Sequence, residues 1–109
     1  MSKPYSESCE QNRTPILKAL APRVADCETL LEIGSGTGQH AVYFAPNLAQ
    51  LVWQTSDRVE NHHGIKLWLE EAALPNVRAP LALDVLVDPW PTERFDAVFI
   101  AAHSDQALS

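Results

Sequence analysis

Glu32, Gly34, Gly36 and Gly38 fall within one short stretch directly after Leu30-Leu31, and two aspartates, Asp57 and Asp84, close later apolar segments. Glycines at alternate positions after a strand let the chain turn tightly and bring a ligand against bare backbone. The turn then presents free N–H groups at the start of a helix, a setting for anionic or oxygen-rich ligands. A carboxylate at the end of the next strand accepts two hydrogen bonds at once, the chemistry that holds a diol. Together these residues describe a small-molecule site with backbone amides on one side and carboxylates on the other.

The glycine spacing narrows the ligand. A dinucleotide fingerprint is G-x-G-x-x-G, whereas here the third glycine is Gly38 and Gln39 follows, giving G-x-G-x-G. NAD binding is disfavoured on that ground. With Glu32 two residues before the first glycine, the segment resembles the first motif of class I S-adenosylmethionine-dependent methyltransferases. The resemblance implies S-adenosylmethionine as cofactor. Gly34, Gly36 and Gly38 would then give close backbone approach, Asp57 would take the ribose hydroxyls, and Asp84 with the backbone amide of Val85 would take the adenine. For Glu32 it implies a residue that orders the loop and faces the methionine end; read by itself, Glu32 is equally a buried structural acid.

The likeness extends further. Lys3-Pro4-Tyr5-Ser6, Cys9-Glu10, Asn12-Arg13, Pro15-Ile16-Leu17, Gln39-His40-Ala41, Leu74-Pro75-Asn76-Val77, Leu83-Asp84-Val85 and Pro89-Trp90-Pro91 are similar to one methyltransferase-like family of uncharacterised function, from about Lys3 to Ala101. That family's N-terminal segment packs near the cofactor loop, which makes Asn12 and Arg13 further candidates. The pattern breaks after Ala101. Ala102 stands where the family has asparagine, and His103 falls about two positions before its histidine, so that role is not carried over. The polar ending 103–109 reads as a foreign tail, and residues 1–109 as the N-terminal, cofactor-binding part of a truncated methyltransferase-like domain.

Two functions follow from this reading. One is methyl transfer to an unknown acceptor; the other is a non-catalytic truncated isoform that acts as a binding or interaction protein. No side chain stands out as a catalytic base.

The elements that must position these residues are legible from periodicity. Residues 1–13 read as a frayed turn or short helix, and Thr14-Pro15 as the start of a helix that Pro22 stops. A strand over 29–33 leads into the glycine loop. The helix after Gly38 carries Ala41, Phe44, Ala45 and Leu48 on one face. A second strand over 51–56 ends on Asp57. A helix over 59–73 follows, with Ile65, Trp68, Leu69 and Ala72 as its stripe. The third strand covers 79–84, and prolines keep 85–95 a loop. The fourth strand, 95–101, is apolar on both faces like a central parallel strand. Alternating strands and helices predict an α/β fold: a partial doubly wound, Rossmann-like parallel sheet of order 3-2-1-4 with flanking helices. The fourth strand would lie at an edge, and self-association through it is expected.

The remaining residues carry weaker signals. His40 has two readings, a contact to the cofactor's carboxylate and, favoured, a core or surface histidine; His62 and His63 are expected to face solvent. With no Cys or carboxylate at ligand spacing, no metal is assigned. Trp53, Trp68 and Trp90 read as packing residues, with a place in a pocket wall as the lesser alternative for Trp90. The chain has 109 residues, 46% hydrophobic and 20% charged, and a net charge of −6. That balance argues against nucleic acid and anionic membrane as partners. No apolar run approaches the length of a membrane span. Cys9 and Cys27 lack C-x-x-C spacing and read as reduced thiols in a cytoplasmic protein.

Overall fold

The computed structural model describes residues 5–100, apart from the side chains of Ser8 and Cys9. Lys3-Pro4 and the ending from Ala101, including His103, lie outside the described residues.

Among the described residues, four parallel strands form one sheet in the order β3-β2-β1-β4, as the sequence predicts. They are β1 (Thr29–Ile33), β2 (Val52–Asp57), β3 (Val77–Ala82) and β4 (Ala97–Ile100). β1 runs in register with both neighbours, Leu31 opposite Gln54 on one side and Val98 on the other. Its central place puts the loop that leaves Ile33 at the middle of the sheet's carboxyl edge, where doubly wound sheets hold ligands.

Three α-helices accompany the strands among the described residues: α1 (Glu7–Leu20), α2 (Gln39–Asn47) and α3 (His62–Ala72). The expected stripe of Ala41, Phe44 and Ala45 in α2, with Leu48 just past its end, is buried and packed with Leu30, Leu51 and Trp53. Ile16, Leu17 and Leu20 of α1 and Leu69 of α3 close over the same core. The opposite face holds a smaller cluster of Leu31, Ile33 and Leu83, flanked by Leu81 and Phe95, to which no described helix contributes.

Several element boundaries differ from the sequence reading. Helix α1 begins at Glu7, so Pro15 lies inside it and Thr14-Pro15 does not start it. The ring removes one helical hydrogen bond. What holds the helix across that gap is packing of its apolar face, together with Glu7 and Glu10 in the first turn and Lys18 in the last, each suited to the helix dipole. β3 begins two residues earlier than expected, at Val77, and ends at Ala82. Its Pro80 is tolerated because β3 is an edge strand and a missing N–H there breaks no ladder. The expected helix over 59–73 divides into a 3-10 turn, Val59–Asn61, and α3, which ends where Ala73 takes a left-handed φ of 51°.

β4 is shorter than its apolar run. It covers Ala97–Ile100 and shows one covered face and one open face, Val98 and Ile100 being 48% and 67% exposed. The two-faced burial expected of a central strand is absent because Val98 and Ile100 share the sheet face of Leu31 and Ile33, which no described helix covers. At its start the chain is tied to β1. Asp96 accepts from the N–H groups of Glu28 and Thr29, at 2.8 and 3.2 Å, and its own N–H donates to Thr29 Oγ1. The backbone donation from Glu28, then that from Thr29, holds the Asp96 carboxyl below its ordinary range.

Candidate functional site

The loop between β1 and α2 owes its shape to its glycines. Gly34, Gly36 and Gly38 all take left-handed φ values, 66°, 64° and 93°, a conformation costing other residues about 1–2 kcal/mol. They serve different ends. A Cβ on Gly34 would meet nothing within 4 Å, so this position faces open space. A Cβ on Gly38 would stand 3.3 Å from the backbone of Ile65 and from Trp68 Cβ, so this glycine lets α3 pack against the loop.

Beside the loop, the end of β2 supplies a carboxylate that organises several donors. Asp57 Oδ2 accepts from Gly36 N–H at 2.8 Å, and Oδ1 from Arg58 N–H at 2.7 Å and the Asn61 side chain at 3.0 Å. His62 Nε2 lies 2.9 Å from the Asp57 carbonyl and 3.1 Å from that of Leu81, spanning the ends of β2 and β3. It is therefore half-buried and bonded, not turned to solvent as the sequence reading has it; only His63 is exposed.

Past β3 the chain turns on itself. Asp84 N–H donates to Asp88 Oδ2 at 2.7 Å, and Asp84 Oδ1 accepts from Leu86 N–H at 3.0 Å. Asp84 thus sits two residues beyond the strand rather than closing it. Between these elements lies an open cleft of about 220 Å³, lined by Ile33, Gly34, Asp57, Arg58, Leu83, Asp84, Val85 and Leu86. Four of the residues singled out from sequence, Gly34, Asp57, Asp84 and Val85, meet there. Gly36 reaches the cleft's carboxylate through its N–H, and Gly38 is turned under α3.

Glu32 lies behind this surface. It is 1% exposed, accepts from Ser35 Oγ–H at 2.8 Å and from Trp53 Nε1–H at 3.1 Å, and does not line the cleft. Burial pushes its carboxyl up to about 7, against the two hydrogen bonds and aided by the charge of Asp57. Ser35 extends the seam: its N–H donates to Ser56 O at 2.8 Å, and its Oγ accepts from Ser56 N–H at 3.0 Å. The acid therefore anchors the root of the loop to β2.

Ile33, Arg58, Leu83 and Leu86 line the cleft without having been singled out. Each directly follows or precedes a residue that was, so adjacency to Gly34, Asp57, Asp84 and Val85 was the available signal. His40 is a core histidine, stacked on Phe44 with ring centres 5.1 Å apart. Trp53 packs as expected, whereas Trp90 is 56% exposed because the proline loop holds it off the core. Arg13 stacks over the Tyr43 ring at 4.5 Å, away from the cleft lining. No group of three or more potential metal ligands occurs among the described residues, and no described helix is long and apolar enough to cross a membrane.

The fold is shared with solved methyltransferases. The S-adenosylmethionine-dependent methyltransferase SibL in its apo form aligns with 88% of this chain at TM-score 0.76 and 24% identity. Coclaurine N-methyltransferase, bound to N-methylheliamine and SAH, aligns with 91% at 0.67 and 18%. A SAM-dependent methyltransferase from Aquifex aeolicus aligns with 87% at 0.65 and 19%. At these identities the likeness is one of fold, the class I methyltransferase fold. The chain spans 27%, 30% and 51% of the lengths of those three proteins. A family described as "Protein of unknown function (DUF938)" matches residues 3–108.

Proposed function

The chain belongs to the DUF938 family, and from its fold and cleft we propose that it is the cofactor-binding part of a cytoplasmic S-adenosylmethionine-dependent methyltransferase. The observation that carries this reading is the convergence of Gly34, Asp57, Asp84 and Val85 on one cleft at the carboxyl edge of the sheet. The residues fit the cofactor. Open space at Gly34 leaves room for a ligand against backbone. Asp57 has its carboxylate held in place by three donors and retains one lone pair, on Oδ2, for a ribose hydroxyl. Asp84 and the amide of Val85 suit an adenine edge, with Leu83 and Leu86 as apolar walls.

When bound, the cofactor's sulfonium supplies a methyl group already activated for displacement. The chain's part is to hold and orient it, which is where proximity contributes most to such a reaction. The acceptor is proposed only as a nucleophile that reaches the cleft, and the net charge of −6 disfavours nucleic acid.

Calorimetric titration with S-adenosylmethionine and S-adenosylhomocysteine tests the reading. Binding is expected for the unaltered chain. Asp57→Ala removes a charged hydrogen-bond acceptor worth about 1.5–3 kcal/mol and should weaken affinity at least tenfold. Gly34→Ala, whose Cβ would enter the open space, should weaken it as well while the chain stays folded. A folded chain that binds neither compound would refute the proposal.

We further propose self-association through β4, whose outer edge and open face carry Val98 and Ile100. Sedimentation should show concentration-dependent dimers or larger species that Ile100→Lys suppresses. A monomer at every concentration would sink this idea.

A further inference from the structure

Strand β3 carries one residue more than β2 along their pairing. Gln54 stands opposite Arg78 but Ser56 opposite Leu81, so Thr55 alone faces both Ala79 and Pro80. A bulge of this kind bends its strand and re-aims whatever follows. Side chains of β2 reach across it: Thr55 Oγ1 donates to Arg78 O at 2.9 Å and Gln54 Nε2 to Ala79 O at 2.7 Å. Past the bulge the pairing is short, Ser56 with Leu81 and Asp57 with Ala82. Yet the two carboxylates of the cleft, Asp57 and Asp84, lie beyond this bulge at the ends of different strands.

The start of α3 joins those ends. His62 Nε2 stands 2.9 Å from Asp57 O and 3.1 Å from Leu81 O. A carbonyl oxygen only accepts, so Nε2 carries a proton and shares it between the two strands, whether or not the ring is charged. Asp57 O accepts from Leu83 N–H as well, at 2.9 Å, and Leu83 leads directly into Asp84. Asn61, one residue before His62, holds the Asp57 carboxylate at 3.0 Å. Neighbouring side chains of one helix start therefore fix Asp57 by its main chain and by its carboxylate, and tie both to β3.

We propose that His62 is a positioning residue for the nucleoside end of the ligand: by bracing the ends of β2 and β3 past the bulge it sets the span from the Asp57 carboxylate to Asp84 and Val85. This rests on the cofactor reading of the cleft.

The test is a double-mutant cycle. Calorimetric titration with S-adenosylhomocysteine is made for the unaltered chain, His62→Ala and His62→Gln, and for the same set carrying Asp57→Ala. Glutamine places its amide nitrogen as many bonds from the backbone as Nε2 and donates likewise. His62→Ala should weaken binding about tenfold, the equivalent of one or two net hydrogen bonds, and His62→Gln should restore it to within about threefold of the unaltered chain. A span matters only while both of its ends hold the ligand. In the Asp57→Ala background the His62→Ala loss should therefore shrink below about threefold, whereas a residue that merely stabilises the fold would give the same loss in both. Equal losses in the two backgrounds, no loss in either, no rescue by glutamine, or a His62→Ala chain that fails to fold would overturn the inference and leave the cofactor site in place. An unaltered chain that does not bind S-adenosylhomocysteine would overturn the cofactor reading, and the inference with it.

Discussion

Trp53→Ala is expected to lower the free energy of unfolding by about 3–5 kcal/mol, the cost of deleting a large buried aromatic side chain. Trp53 is fully buried in β2, with its ring centre 5.8 Å from those of Phe44 in α2 and Phe99 in β4. Its removal opens a void between sheet and helix that stiff neighbours cannot close. It also takes away the Nε1–H that Glu32 accepts, leaving a buried carboxyl with one donor fewer. Trp53→Phe separates the two losses: it keeps most of the volume, drops the donor, and should cost about 1–3 kcal/mol. Urea titrations followed by circular dichroism measure both. Total stability is about 5–15 kcal/mol for an ordinary domain, so the alanine variant should show a midpoint far below the parent's. A cost under about 2 kcal/mol for Trp53→Ala would mean that the ring is not packed as described.

The same residue explains where sequence reasoning stopped. Elements whose fate is decided locally were legible: the stripe of α2 with Ala41, Phe44, Ala45 and Leu48, the bounds of β1, and Asp57 at the end of β2 all stand where periodicity and turn residues put them. Strand order was legible as well, since the alternation of elements and the glycine loop leave few topologies. Boundaries set by tertiary partners were not. Pro15 reads as a helix start until Ile16, Leu17 and Leu20 find the core and Gln39 holds Glu10. The third strand reads as 79–84 until its pairing with β2 moves it to Val77–Ala82. His62 reads as solvent-facing until the carbonyls of Asp57 and Leu81 converge on it.

Of the candidate residues, Gly34, Asp57, Asp84 and Val85 line the cleft and Glu32, Gly36 and Gly38 do not, a division that no local signal gives. Nothing local distinguishes Gly34, which faces open space, from Gly38, which admits the backbone of α3; the difference is made by Ile65, far along the chain. Glu32 is the sharpest case. Its two readings, structural acid and loop-ordering residue, come together once Trp53 and Ser35 are seen on the same carboxyl oxygen.

Ionisation of that carboxyl should make the protein less stable as pH rises from acid to neutral. Burial is the chief cause of its raised position, about 7 against an ordinary 4.5. Between those values the folded chain keeps a proton that the unfolded chain has released. The folded state binds more protons there, so the slope of unfolding free energy against pH is negative. The contribution is fully present below about pH 4.5, declines through the window and is gone above about pH 7, amounting to about 3 kcal/mol. Asp96, held low by backbone donors, acts with the opposite sign and only in the acid range below its unfolded value. Comparison with Glu32→Gln isolates the first effect, since glutamine accepts from the same donors but does not titrate. From about pH 5 to about pH 8 the variant should gain on the parent by about 3 kcal/mol in denaturant unfolding. A constant difference across that range would show Glu32 ionised in the folded chain throughout. Because the carboxyl holds Ser35 and Ser35 holds Ser56, the charge that forms at higher pH arises at the root of the glycine loop. The same titration should therefore loosen amide protection at Ser35 and Ser56 before it reaches α2.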